Sequence, residues 1–319
     1  MKIKYGPNRA VTIAASVALT AAVLMAAFYV ATRDRWIHRP AEVVTAPPPA
    51  PPQAPPAPPR APEPPPTPPE SAAGVLKSAL DRAEQKDFVE ARRRLADALR
   101  MDPTPAVRRE ILQKMIPIND YLLKLAPNAP DIEPYRVRTG DTWERLARRV
   151  GGGKFEYGAL KLTNRSVSNN LRVGDTLRIP RSPFSILVVK SDFRLYLMYE
   201  GAALKEYLIA VGRGGTNETP AATFTVGTRT ESPHWYPPEE LIRERGLPSV
   251  VPPGDPENPL GTHWIGLEHP SYKRFGIHGT NDERVLGTEA TLGCIRLSNP
   301  DVAEVFGVTC AGMSVTIVD

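Results

Sequence analysis

The alternation of apolar and polar positions divides the chain into stretches with different periods. From Ala10 to Ala31 no charge occurs in 22 residues, and a helix of that length rises roughly 33 Å, enough for the apolar core of a bilayer. Ala46 to Pro69 is almost wholly proline and alanine. Proline fixes φ and has no N–H, so this stretch builds neither helix nor sheet; an extended stalk of roughly 75 Å is expected at ~3.1 Å per residue. After residue 70 apolar residues recur at steps of three and four: Leu76, Leu80 and Ala83, then Phe88, Ala91, Leu95 and Ala98, then Ile111, Met115, Ile118 and Leu122. That spacing predicts helices up to about Lys124, with Asp87 capping the second and Pro103 and Pro105 separating it from the next.

From Tyr135 the period changes. Tyr135 and Val137 alternate with arginines like a strand, Gly140-Asp141 makes a turn, and Asp141 or Thr142 caps a helix carrying Leu146, Ala147 and Val150. Leu171 to Pro180 reads as a turn feeding another strand. Beyond Phe184 the pattern is β: Phe184, Ile186 and Val188, then Leu195 and Leu197, then Tyr207, Ile209 and Val211, with Glu200-Gly201 as a hairpin turn. The last third is expected to be β-rich rather than doubly wound α/β.

Two of these stretches resemble known modules. Ala79 to Pro103, through Phe88, Glu90-Ala91, Leu95, Ala98-Leu99 and Asp102-Pro103, is similar to one tetratricopeptide-type hairpin. One such unit is too few for a solenoid, so a small helical spacer is the preferred reading. Tyr135 to Pro180, opening with Tyr135-Arg136-Val137-Arg138-Thr139-Gly140-Asp141-Thr142 and closing with Asn164 and Leu171-Arg172-Val173-Gly174-Asp175-Thr176-Leu177, resembles a LysM domain over its full length. That resemblance implies a β-α-α-β fold and binding to glycans containing N-acetylglucosamine. A LysM fold that only packs on its neighbour is the competing reading.

Charge adds orientation and excludes one class. Lys2, Lys4 and Arg9 precede the apolar run, and Arg33, Asp34 and Arg35 follow it. The positive side before the run favours an N-terminus inside the cytoplasm and the rest outside. A cleaved signal peptide has a shorter apolar core and a small-x-small site; here Phe28, Tyr29 and Val30 occupy that place, so an uncleaved anchor is preferred. The 40 Lys and Arg are set against 35 Asp and Glu, a net charge of +5. The only basic run is Arg92, Arg93 and Arg94, which reads as a solvated helix face, and no nucleic-acid partner is expected. Two cysteines, Cys294 and Cys310, exclude a disulfide-dense fold, and whether they pair stays open.

The candidate chemistry lies near the end, in Phe275-Gly276-Ile277-His278-Gly279-Thr280-Asn281 and Thr291-Leu292-Gly293-Cys294-Ile295-Arg296-Leu297. A thiol attacks as thiolate, and a neighbouring imidazole can take its proton and hold the pair as thiolate and imidazolium. The glycines beside both residues let backbone approach a substrate, so amides around Gly293 and Cys294 are candidate donors to an oxyanion. Together with Thr219-Pro220, Asn258-Pro259-Leu260-Gly261 and Trp264-Ile265-Gly266-Leu267, these segments resemble the L,D-transpeptidase catalytic domain family from about Phe184 to Asp319.

The resemblance implies Cys294 as nucleophile, His278 as base, and the Gly279 carbonyl as the group orienting the imidazole. It implies no metal and no cofactor. It also implies a stem tetrapeptide as donor, released D-Ala, and an amine acceptor giving 3→3 crosslinks in peptidoglycan. Water or a wall protein as acceptor, and an inactive glycan-binding tether, are the alternatives. Thr291 stands where the family usually has Ser, Leu292 where a polar residue is common, and Ala222 where glycine follows Thr-Pro-x. Thr291, Thr280 and Arg296 are candidate substrate contacts, with a structural salt bridge as the rival role for Arg296. Trp235 and Trp264 line the groove or sit in the core. His234, His263 and His269 match no compact metal motif. Asn299 reads as a helix cap before Pro300, and Cys310 as a buried apolar residue.

The expected architecture is multidomain α+β: a cytoplasmic tip and transmembrane anchor (1–40), a Pro-rich linker (41–69), a helical spacer (70–130), a LysM domain (134–181) and a β-rich catalytic domain (182–319). The expected location is the inner membrane, single-pass, with the folded parts outside the cytoplasm beside stem peptides and glycan strands.

Overall fold

The apolar steps after residue 70 fold as three helices, α1 (Ala72–Glu84), α2 (Phe88–Arg100) and α3 (Pro105–Lys124). The computed structural model describes residues 71–165, 167 and 170–319; the expected anchor and proline stalk lie outside them. Among the described residues, no helix is long and apolar enough to cross a membrane. Asp87 caps α2 as its position suggests, its carboxylate accepting the Glu90 amide at 3.3 Å, and Pro105 opens α3. The recurrent residues Ala79, Ala91, Leu95, Ile111 and Met115 are fully buried.

Arg92 departs from the expected solvated face. It is 6% exposed, and its guanidinium pairs with both oxygens of Asp131 at 2.9 and 3.0 Å while also donating to Asn119. Asn119 donates in turn to the Tyr199 and Ala202 carbonyls at 3.1 and 2.9 Å, and the Tyr199 hydroxyl donates to the Asp131 carbonyl at 2.8 Å. A charge is tolerated inside because each of these groups finds a partner. Arg93 and Arg94 do lie further out, paired with Glu90.

β1 (Ile132–Arg136) pairs antiparallel with β2 (Thr176–Pro180), and α4 (Trp143–Gly151) and α5 (Tyr157–Thr163) lie between them in the chain. This is the β-α-α-β arrangement. Thr142 caps α4 by accepting the Arg145 amide, and Asp141 closes the preceding turn by accepting the Tyr135 hydroxyl and the Arg138 amide. Arg178 reaches from β2 to the Leu122 and Leu123 carbonyls at the end of α3.

The remaining chain forms an eight-stranded sheet. In chain order its strands are β3 (Phe184–Val189), β4 (Arg194–Tyr199), β5 (Ala202–Leu208), β7 (Thr223–Glu231), β8 (His263–Glu268), β9 (Phe275–His278), β11 (Ile295–Arg296) and β12 (Ser314–Val318). Their spatial order is β11-β9-β8-β7-β12-β3-β4-β5. Two short strands, β6 (Val211–Gly212) and β10 (Glu289–Thr291), pair in parallel beside it. Glu200 and Gly201, with φ of +53° and +71°, make the two-residue turn between β4 and β5; positive φ at both positions matches the right-handed twist of the flanking strands. Two further helices are α6 (Glu239–Arg245) and α7 (Asn299–Val308).

The described residues form one compact unit, because the β-α-α-β module docks on the sheet domain. A Cβ on Gly158 would lie 2.3 Å from the Gly307 carbonyl oxygen, so α5 meets α7 backbone to backbone. Arg229 adds a bond to Glu156 at 3.2 Å and lies 4.1 Å over the Phe306 ring.

Candidate active site

β9 and β11 run side by side in parallel, with Ile295 opposite Ile277 and Arg296 opposite His278. That register closes the sequence gap between the two segments. Cys294, immediately before β11, and His278, at the end of β9, face one cavity of about 940 Å³. Trp235, Trp264, Thr291, Leu292 and Arg296 also line it.

Hydroxyls hold the cysteine segment. Thr219 donates to the Gly293 carbonyl at 2.7 Å and accepts the Gly212 amide at 2.9 Å. Thr291 donates to the Cys294 carbonyl at 2.6 Å and accepts the Gly293 amide at 3.1 Å. The Gly293 N–H is thus engaged within the loop by the Thr291 hydroxyl. Gly293 itself is required twice over: its φ is +116°, and a Cβ there would lie 2.7 Å from the Phe275 ring. Cys294 is half-buried, and its sulfur lies 3.8 Å from the Arg274 carbonyl.

His278 is 3% exposed. Its Nδ1 lies 2.8 Å from the Gly279 carbonyl oxygen. A carbonyl only accepts, so Nδ1 carries the hydrogen in this contact. Trp264 stacks on the imidazole with centroids 5.7 Å apart and planes at 22°. Gly276 makes room for that indole, since a Cβ there would lie 2.4 Å from it.

Burial is the main influence on both reacting groups. Burial, and then the Arg296 charge, push the His278 pKa down to about 3, against the pull of the Gly279 and Pro259 carbonyls. Burial also raises the Cys294 thiol, opposed by the Gly276 amide and the Arg296 charge. Burial thus works against both charged forms, the thiolate and the imidazolium. In this cavity each ion loses more hydration than its neighbours return.

Arg296 lacks the salt bridge that was its rival role. Its Nε is buried without a hydrogen-bond partner, and among the described residues it forms no ion pair, the Asp282 carboxylate acting on it only through space. Trp235 lines the cavity, its backbone fixed by two bonds to Val251 at 2.9 and 2.8 Å. Thr280 is not brought to this cavity. It is 1% exposed, its hydroxyl bonds the Asp282 backbone, and it lines a separate cavity of about 420 Å³. Helix α7 is capped by Ser298, whose hydroxyl accepts the Asp301 amide at 3.2 Å, rather than by Asn299. Cys310 is buried, and both thiols are free. Sequence reasoning missed Arg274, which lines the cavity with a φ of +66°; nothing in an arginine's sequence context signals a left-handed backbone.

Residues 183–317 match the L,D-transpeptidase catalytic domain family, and residues 135–180 match the LysM domain. The chain is 30% identical over 189 residues to YkuD of Bacillus subtilis (strain 168), covering 57% of this chain and 97% of that protein. The chain belongs to the L,D-transpeptidase family. It is also 31% identical over 144 residues to YqjB of the same organism, covering 44% of this chain and 74% of that protein. With ErfK/SrfK of Salmonella typhimurium it shares 33% identity over 160 residues, 46% of this chain and half of that protein. All three relatives carry L,D-transpeptidase names, and the family comprises cysteine-nucleophile acyltransferases.

Proposed function

We propose that this enzyme is a peptidoglycan L,D-transpeptidase working from a membrane anchor, with Cys294 as nucleophile and His278 as base. The observation that carries the reading is the shared cavity lined by a half-buried thiol and by an imidazole held through Nδ1, brought together by the pairing of β9 with β11. The Cys294 proton passes to Nε2 as sulfur attacks the carbonyl of the third stem residue, a diamino acid. The C–N bond to terminal D-Ala breaks, and the imidazolium returns its proton to the leaving amine. An amine from a second stem then attacks the thioester, loses a proton to Nε2, and releases the thiol with a 3→3 crosslink formed.

Coupling proton transfer to attack suits a cavity in which burial disfavours both ions, because neither has to form ahead of the attack. Arg296, which lines the same cavity as Cys294 with its Nε unsatisfied, is the group to receive a stem carboxylate. Trp235 and Trp264 form apolar walls for the peptide. The proposed organisation is anchor 1–40, linker 41–69, helical segment 70–130, LysM 134–181 and catalytic domain 182–319, with LysM holding glycan strands outside the cytoplasm.

The test is incubation of the purified full-length protein with tetrapeptide muropeptides, followed by mass spectrometry of the products. Dimers with loss of D-Ala are expected. Tripeptide alone would mean that water is the acceptor, and unchanged substrate would leave a glycan-binding tether.

A further inference from the structure

Asn299 lies five residues after Cys294, at the first position of α7, and its side chain turns back from the helix. Its Oδ1 accepts the Thr262 amide at 3.1 Å and the Thr280 amide at 3.3 Å, and its Nδ2 donates to the Thr280 carbonyl at 2.9 Å. Two glycines make room for it. A Cβ on either Gly261 or Gly279 would lie 2.2 Å from Oδ1. The glycine that follows the histidine in the sequence motif is thus needed for this amide to enter. Capping does not explain the arrangement, because Ser298 already caps α7.

The amide of Thr280 and the carbonyl of Gly279 belong to one peptide unit. That unit is planar and trans, as no cis peptide occurs among the described residues, so its N–H and C=O point in opposite directions. Oδ1 grips the N–H from one side. The carbonyl is thereby turned to the other side, where it accepts from His278 Nδ1 at 2.8 Å. We infer that Asn299 is a positioning residue that sets the tautomer of His278 by gripping the far side of the Gly279–Thr280 peptide, leaving Nε2 as the base for Cys294. This rests on the reading of His278 as base. It assigns to Asn299 the orienting task that a carboxylate performs in many histidine-dependent sites.

The test is nitrogen-15 NMR of the imidazoles in labelled full-length protein, with His278→Gln identifying the His278 signals. In the wild type Nδ1 is expected to be protonated and Nε2 to resonate as a bare nitrogen. Asn299→Ala is expected to give a mixture of tautomers and to slow acylation by a carbapenem roughly 10–100-fold, as loss of an orienting partner typically does. Asn299→Asp keeps the oxygen that accepts the Thr280 amide but loses the donor to the Thr280 carbonyl, and is expected to retain the wild-type tautomer at a reduced rate. An Asn299→Ala protein with the wild-type tautomer would overturn the inference. Should the alanine variant not fold, Asn299→Asp carries the test: a retained Nδ1–H signal supports it and a shift to Nε2–H overturns it. A wild-type protein already protonated at Nε2 would instead overturn the assignment of His278 as base.

Discussion

Arg92 and Arg296 are both drawn into the protein, and their surroundings differ. Arg92 meets both oxygens of Asp131 and the side chain of Asn119, in a network continued by Tyr199. Arg296 keeps a buried Nε without a partner and forms no ion pair among the described residues, with Asp282 acting on it only through space. A buried charge left incomplete costs stability, and that leaves Arg296 open to a partner from outside the chain. Arg92 ties the helices to the β4–β5 hairpin, whereas Arg296 lines the cavity that holds Cys294.

Substitutions on the two sides should separate stability from turnover. Cys294→Ala is expected to lower crosslinking at least ~10³-fold with the thermal midpoint little changed, which product analysis and calorimetry together would check. Asp131→Ala strands the Arg92 charge and should reduce unfolding free energy by about 3–5 kcal/mol in urea titration, without altering the cavity. Arg296→Gln should do the reverse. It is expected to cost roughly 10–100-fold in kcat/KM on a carboxylate-bearing stem, the worth of one charged hydrogen bond, with little loss of stability. Equal destabilisation by the two arginine-site variants would break the contrast.

His278 sharpens the contrast through pH. Its folded pKa is depressed to about 3, below the ~6.5 of an unfolded histidine. The unfolded chain therefore binds the extra proton first as pH falls. The stability contributed by neutral His278 is present above about 6.5 and lost between there and about 3, at up to about 1.4 kcal/mol per pH unit. His278→Gln should flatten that slope in urea titrations at successive pH values.

The local parts of this arrangement were legible in the sequence, and the long-range parts were not. Asp87 as a cap and Glu200-Gly201 as a turn follow from the preferences of single residues. The motif around Cys294 and His278 carries the family. By contrast, the partner of Arg92 is 39 residues away, and without Asp131 in view a surface position was the reasonable reading. Asn299 beside Pro300 looks like a cap because local spacing cannot reveal that its amide turns back to Thr280. Gly293 looked like a source of a free amide, but Thr291 accepts that amide from two residues away. Thr280 shares the histidine motif yet faces another cavity, since its hydroxyl is satisfied by Asp282.

The most direct measurement is intact-mass spectrometry of the wild-type protein and Cys294→Ala after exposure to a tetrapeptide muropeptide or a carbapenem. The wild type is expected to gain one acyl group, mapped to Cys294 after digestion, and the variant none. Acylation at Cys310, or a wild-type protein that never gains mass, would contradict the assignment of Cys294 as the nucleophile.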